Sequence, residues 1–169
     1  FGNKSITSTG NSDVFVGQFN TKGEFDWVAN AGGSGDDYGH GVAILSDGDV
    51  VITGGFEQSA DFGKIQLTTQ GSSDAFAARI DGTTESFVWA TQSEGSGSDR
   101  SARGFDVASW NDGTSAIAGY FRNNAQFGQT RLDEEVAGEG DGFMATMDAT
   151  GAWLSPSSPV TSPVVDIPV

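Results

Sequence analysis

The side chains of this chain best equipped for chemistry are carboxylates, and they gather in three glycine-rich places: Asp36 with Asp37, Asp47 with Asp49, and Asp133 with Glu134 and Glu135. Aspartate and backbone carbonyl oxygens in such loops are the ligands that calcium selects. Asp36, Asp37, Asp47 and Asp49 are therefore the candidate metal ligands, with calcium the one cofactor the residues admit. None of these segments has the spacing of an EF-hand loop, and Asp47-Gly48 is already explained as a tight turn. The single histidine, His40, stands between Gly39 and Gly41 just after the Asp36-Asp37 pair. Without cysteine or a second histidine, zinc would depend on carboxylates and a proton shuttle would lack its other half. No residue is assigned a catalytic role.

Aromatic and basic residues offer binding rather than reaction. Trp27, Trp89 and Trp153 recur in phase with apolar segments and read as packing between repeated units. Trp110 instead replaces Leu45 beside the turn Asn111-Asp112-Gly113, with no tryptophan counterpart, which makes it the candidate for stacking on a sugar ring. Arg100 and Arg103 lie in a segment longer and more basic than its counterpart around Asp36. Repeats diverge where they face ligands or neighbours, so Arg100, Arg103, Asp133, Glu134 and Glu135 join Trp110 as candidate contacts. No Ser/His/Asp set, phosphate-binding loop or dinucleotide loop is present, and a non-enzymatic protein is expected.

The elements that must position these residues are short strands. Apolar residues make up 36% of the 169 and glycine supplies 25 positions, a profile of many strands joined by tight turns. Eight Lys and Arg stand against 23 Asp and Glu, a formal charge of −15 that repels polyanions and argues against nucleic acid and anionic lipid as partners. The carboxylates are dispersed through patterned segments, as on a solvated acidic surface suited to a salty or extracellular setting. No apolar run is long enough to span a membrane, so membrane insertion is not expected. Residue 1 is Phe rather than Met, from which we expect a processed or excised piece of something longer.

One segment is written three times. It opens on Phe-Gly at Phe1, Phe62 and Phe127, passes Asp13, Asp74 or Asp141 followed by an apolar pair, and closes on Trp27, Trp89 or Trp153. Recurrence at a near-constant spacing marks a structural module. Between copies lies a strand, an Asp-Gly turn and a second strand, at Gly41–Phe56 and again at Asp106–Phe121; this is a strong hairpin signal. The Phe-Gly segment holds a second hairpin, Val14–Phe19 with Phe25–Val28 in the first copy. Each repeat is thus expected to supply four antiparallel strands, A to D, the arithmetic of a propeller blade. The recurrent Asp13, Asp74 and Asp141 stand at the start of strand C, where a side-chain oxygen caps a turn.

The string Gly33-Ser34-Gly35-Asp36-Asp37-Tyr38-Gly39-His40-Gly41, followed by Asp49-Val50-Val51-Ile52-Thr53-Gly54, Ala60-Asp61-Phe62-Gly63 and Ser73-Asp74-Ala75-Phe76-Ala77-Ala78, resembles the bacterial β-propeller repeat family often labelled SBBP. The resemblance runs from Phe1 to about Leu154. It implies a propeller fold and a secreted or surface compartment, and very little chemistry.

The expected fold is all-β, an array of antiparallel four-stranded blades amounting to about two and a half copies. Residues 1–32 form a half blade holding only strands C and D, residues 33–94 and 95–154 two full blades, and residues 155–169 a proline-rich extended tail. An unclosed array exposes strand edges, so the expected partners are other protein subunits, copies of this chain or further repeats. In the tail, Val164, Val165 and Ile167 are candidates for an added edge strand. The expected function is assembly or recognition at the cell surface or outside it; the alternative is glycan binding, with polysaccharide as partner.

Overall fold

A computed structural model describes residues 1–154 apart from residues 3 and 96. Those residues form thirteen β-strands and no helix, and every strand pair is antiparallel. The candidate tail residues Val164, Val165 and Ile167 lie outside the described part.

The first half blade is β1 (Val14–Phe19) paired with β2 (Phe25–Gly33). The next blade is a sheet in the order β3 (Tyr38–Ile44), β4 (Val50–Phe56), β7 (Asp74–Asp81) and β8 (Ser86–Gln92). The last blade has β9 (Ser101–Ser109), β10 (Ser115–Arg122) and β13 (Asp141–Met147), with its fourth position begun by a bridge from Met147 to Trp153. The A-B-C-D blade expected from the repeat is therefore present, in an array that does not close into a ring.

Four of the turns are made by the same local device. Leu45 N donates to Asp49 O at 2.8 Å and Gly48 N to Leu45 O at 3.0 Å, and the pattern recurs at Asn20, Trp110 and Asp148. The glycine of each turn is left-handed, with φ between 81° and 92° at Gly23, Gly48, Gly113 and Gly151. A residue with a Cβ is disfavoured there.

The repeat holds six strands rather than the four read from sequence. Between strands B and C the chain throws out a hairpin, β5 (Ser59–Phe62) with β6 (Ile65–Thr68), and in the next repeat β11 (Asn124–Phe127) with β12 (Thr130–Asp133). These hairpins strap a blade to the one before it. β5 pairs with β2 through Gly32 and Gly33, and Gln126 of β11 exchanges two 2.7 Å hydrogen bonds with Glu94 just after β8. The Phe-Gly signature is the strap's turn, with Gly2, Gly63 and Gly128 at φ 62°, 64° and 60°. Its strands are four residues long, and β6 and β12 alternate only between half-buried and exposed positions, so the segment reads as a Ser/Thr-rich loop.

The core lies between blade faces. Phe56, Phe62, Phe76 and Ile80 fill one cluster and Ile117, Phe121, Phe127 and Met147 another, each such side chain worth about 1.5–3 kcal/mol of burial. Trp27 and Trp89 are buried, as expected of inter-blade packing. Trp153 is not their counterpart. Its bridge to Met147 and its edge-to-face contact with Phe127 at 5.0 Å correspond to Phe87, which pairs with Ile80 and meets Phe62 edge-to-face at 5.5 Å. Matching Trp to Trp in the sequence shifts the third copy by two residues.

Candidate functional site

The four candidate calcium ligands do not converge. Asp36 and Asp37 precede β3 and Asp47 and Asp49 follow it, at opposite ends of the strand. Asp47 and Asp49 both grip Arg79, at 2.8 and 2.7 Å, which staples the β3–β4 turn to β7. Asp37 is buried and accepts hydrogen bonds from Gly33 N (2.7 Å) and Glu57 N (3.2 Å). Burial pushes its carboxyl above the ordinary range, while the two backbone donors oppose that rise and nearby Asp13 adds to it. Among the described residues no three or more histidine and carboxylate side chains are grouped to hold a metal.

The acidic loop is built on itself. Glu134 accepts from Gly138 N (2.5 Å), Asn123 N (2.9 Å) and Gly140 N (3.2 Å), and these donors, Gly138 foremost, hold its carboxyl below the ordinary range. Asp133 pairs with Arg131, whose hydrogen bonds lower its pKa as well. The Glu135 side chain is exposed, and its backbone N donates to Asp141 at 2.7 Å. Asp13, in turn, receives Ser8 Oγ at 3.0 Å and Thr9 N at 2.9 Å, the turn-capping role expected at the start of strand C.

Arg100 is not a surface contact. It is fully buried between the two complete blades, ion-paired with the equally buried Asp74, and its Nη1 donates to Glu94 O at 3.2 Å. Its backbone carbonyl accepts from Ser72 N (2.9 Å) and Ser72 Oγ (2.7 Å), so side chain and backbone both clip one blade to the next. Nε and Nη2 find no partner among the described residues. Such a pair costs solvation and is justified by the attraction of a close opposite charge. Sequence context concealed this, because the segment looks like a lengthened basic loop.

Arg103 is half-exposed, and the structure surrounds it with aromatic rings that sequence reading passed over. Its guanidinium lies 5.6 Å from the centre of the Tyr38 ring. Tyr38 stacks on His40 at 6.3 Å, and His40 meets Phe105 at 5.8 Å. His40 and Phe105 are the extra residues of matching β-bulges, where β3 skips from Gly39 to Gly41 and β9 from Gly104 to Asp106. A bulge re-aims the side chain it carries. Ser101, Arg103, Phe105 and Tyr120 line an open cleft of about 390 Å³ here. Arg103 has no carboxylate partner among the described residues. Trp110 is 52% exposed at the far end of β9 in the β9–β10 turn, so the structure does not bring it to Arg103.

A second surface lies on β1, which has a partner on one side only. The rings of Phe1, Phe15, Phe19 and Phe25 form a chain of contacts there, with centroids 5.2, 5.1 and 4.0 Å apart along it. Phe15 is 57% exposed and Phe19 equally so, whereas Phe76 and Phe143, which hold the position of Phe15 in the complete blades, are 0% and 7% exposed. Here the copies of an otherwise repeated packing arrangement differ.

No protein-family model and no curated protein matches this chain. No helix among the described residues is long and apolar enough to cross a membrane.

Proposed function

We propose that this chain is a non-enzymatic repeat module of the bacterial propeller type, secreted or displayed at the cell surface, whose work is assembly or recognition through blade edges completed by a neighbour. The single observation that supports it is Phe15: 57% exposed on an unpaired strand, where two copies of the same position are buried. Free strand edges beside apolar surface recruit further strands. The acidic balance of −15 keeps such a module soluble in salt and away from polyanions. Light scattering over a range of concentrations tests the reading: the isolated chain self-associates and Phe15→Ser returns it to monomer. A monodisperse monomer across that range would refute it.

The Arg103 cleft favours glycan binding as the second reading. Aromatic faces stack on sugar rings, and an unpaired guanidinium recognises a carboxylate in two-pronged fashion. An oligosaccharide bearing a single carboxylate would then bind the chain and lose affinity in Arg103→Ala, with Trp110→Ala showing whether the distant tryptophan adds a subsite. A blank glycan screen would remove this reading.

A further inference from the structure

Each complete blade shows how the strand that covers the Phe15 position is made. β4 lies against β7 with Gly54 opposite Phe76 and Phe56 opposite Asp74, and β10 lies against β13 with Gly119 opposite Phe143 and Phe121 opposite Asp141. The glycines are required by contact. A Cβ on Gly54 would stand 1.8 Å from Tyr38 O of its own hairpin and 2.8 Å from the Phe76 ring, and one on Gly119 would stand 2.0 Å from Arg103 O and 2.7 Å from the Phe143 ring. Each ring is thus sandwiched between a bare backbone on the covering strand and the strap phenylalanine, at 4.9 Å for Phe62–Phe76 and 4.6 Å for Phe127–Phe143. The phenylalanine two residues beyond each glycine, Phe56 or Phe121, is buried as well.

At β1 half of this arrangement is already in place. Phe1 lies against Phe15 at 5.2 Å as the strap phenylalanines do elsewhere, and Asp13 stands where Asp74 and Asp141 stand. The glycine-bearing strand is what the position lacks. We propose that the open edge of β1 is a docking site for a strand A–strand B hairpin of a further unit of this same repeat, its B strand setting a glycine opposite Phe15 and a phenylalanine opposite Asp13. This rests on the assembly reading and names its partner. The two hairpins of that kind among the described residues, β3–β4 and β9–β10, already hold β7 and β13, so a second copy of the described chain has none to offer.

The test is complementation in trans. A synthetic peptide spanning Tyr38–Phe56 is titrated into the full chain and followed by calorimetry and light scattering. We expect binding at one peptide per chain and a fall in the self-associated mass. Phe56→Ser in the peptide should weaken binding at least tenfold, since Phe56 lies beyond the last β3–β4 pair, Tyr38 with Gly55, and leaves the hairpin's own pairing intact, and Phe15→Ser in the chain should do the same with an unchanged circular dichroism spectrum. The peptide variant leaves the protein untouched and Phe15→Ser leaves the peptide untouched, so loss of binding in both is a folding defect of neither. Self-association that depends on Phe15 but ignores the peptide would overturn the hairpin while leaving assembly standing. Equal affinity of the Phe56→Ser peptide would also overturn the register proposed, which sets that phenylalanine opposite Asp13. A monomer that binds no peptide would overturn both.

Discussion

Truncating the same repeat position three times separates packing from sequence similarity. Phe76 and Phe143 are almost wholly buried, and Phe15 is 57% exposed. Phe76→Ala removes a ring held against Phe62 at 4.9 Å and leaves a cavity, a change that costs about 3–5 kcal/mol. Phe15→Ala forfeits less than half of a phenylalanine's burial and leaves no enclosed cavity, so about 1 kcal/mol is expected. Urea denaturation reads the difference directly. With a slope of about 2 kcal/mol/M, the midpoint falls by about 2 M for Phe76→Ala and about 0.5 M for Phe15→Ala, with the slope itself unchanged. Phe143→Ala should resemble Phe76→Ala. Equal losses for Phe15 and Phe76 would refute the claim that the first blade is open at β1, because they would mean that Phe15 is already buried in the isolated chain.

Arg100→Leu strands the Asp74 carboxylate in a dry interface and should cost about 3–5 kcal/mol in the same assay, far more than Arg131→Leu on the surface. Trp153→Phe restores the residue type found at the equivalent positions Phe25 and Phe87 and should cost under about 1.5 kcal/mol, whereas Trp153→Ala should cost clearly more. The pH dependence has two opposite parts. Asp37 has a folded pKa above its unfolded value, so its contribution is fully present below the unfolded pKa and is lost as pH rises through the folded one; Asp37→Asn should remove that loss in a pH series of melts. Asp81, Asp112 and Asp148 are lowered by hydrogen bonds from Thr84, Thr114 and Thr150, so their contribution is present above the ordinary 3.8 and is lost as pH falls through the lowered values. Stability that fell with acid no less in Asp112→Ala than in the parent chain would sink that second part.

The blade strands and their turns were legible in the sequence because both depend on local physics. Alternating apolar residues select one face of a strand, and the Asp-Gly and Lys-Gly turns need a left-handed residue that glycine supplies. The periodicity of Phe-Gly and Asp likewise announced a repeat, since each copy has the same faces to bury. Tertiary structure alone decided where the strap hairpins go, because four-residue strands carry too little pattern to be told from loops and their partner belongs to another sheet. It also placed Trp153 with Phe87, buried Arg100 against Asp74, parted Asp36 and Asp37 from Asp47 and Asp49, and gathered Tyr38, His40, Arg103 and Phe105 across two blades. Each of these is settled by how segments distant in the chain pack together, and residue type and spacing hold no record of which distant surface a side chain will meet. The same holds for Phe15, two residues after the recurrent aspartate as Phe76 and Phe143 are, whose exposure is set by whether a second strand lies beside it.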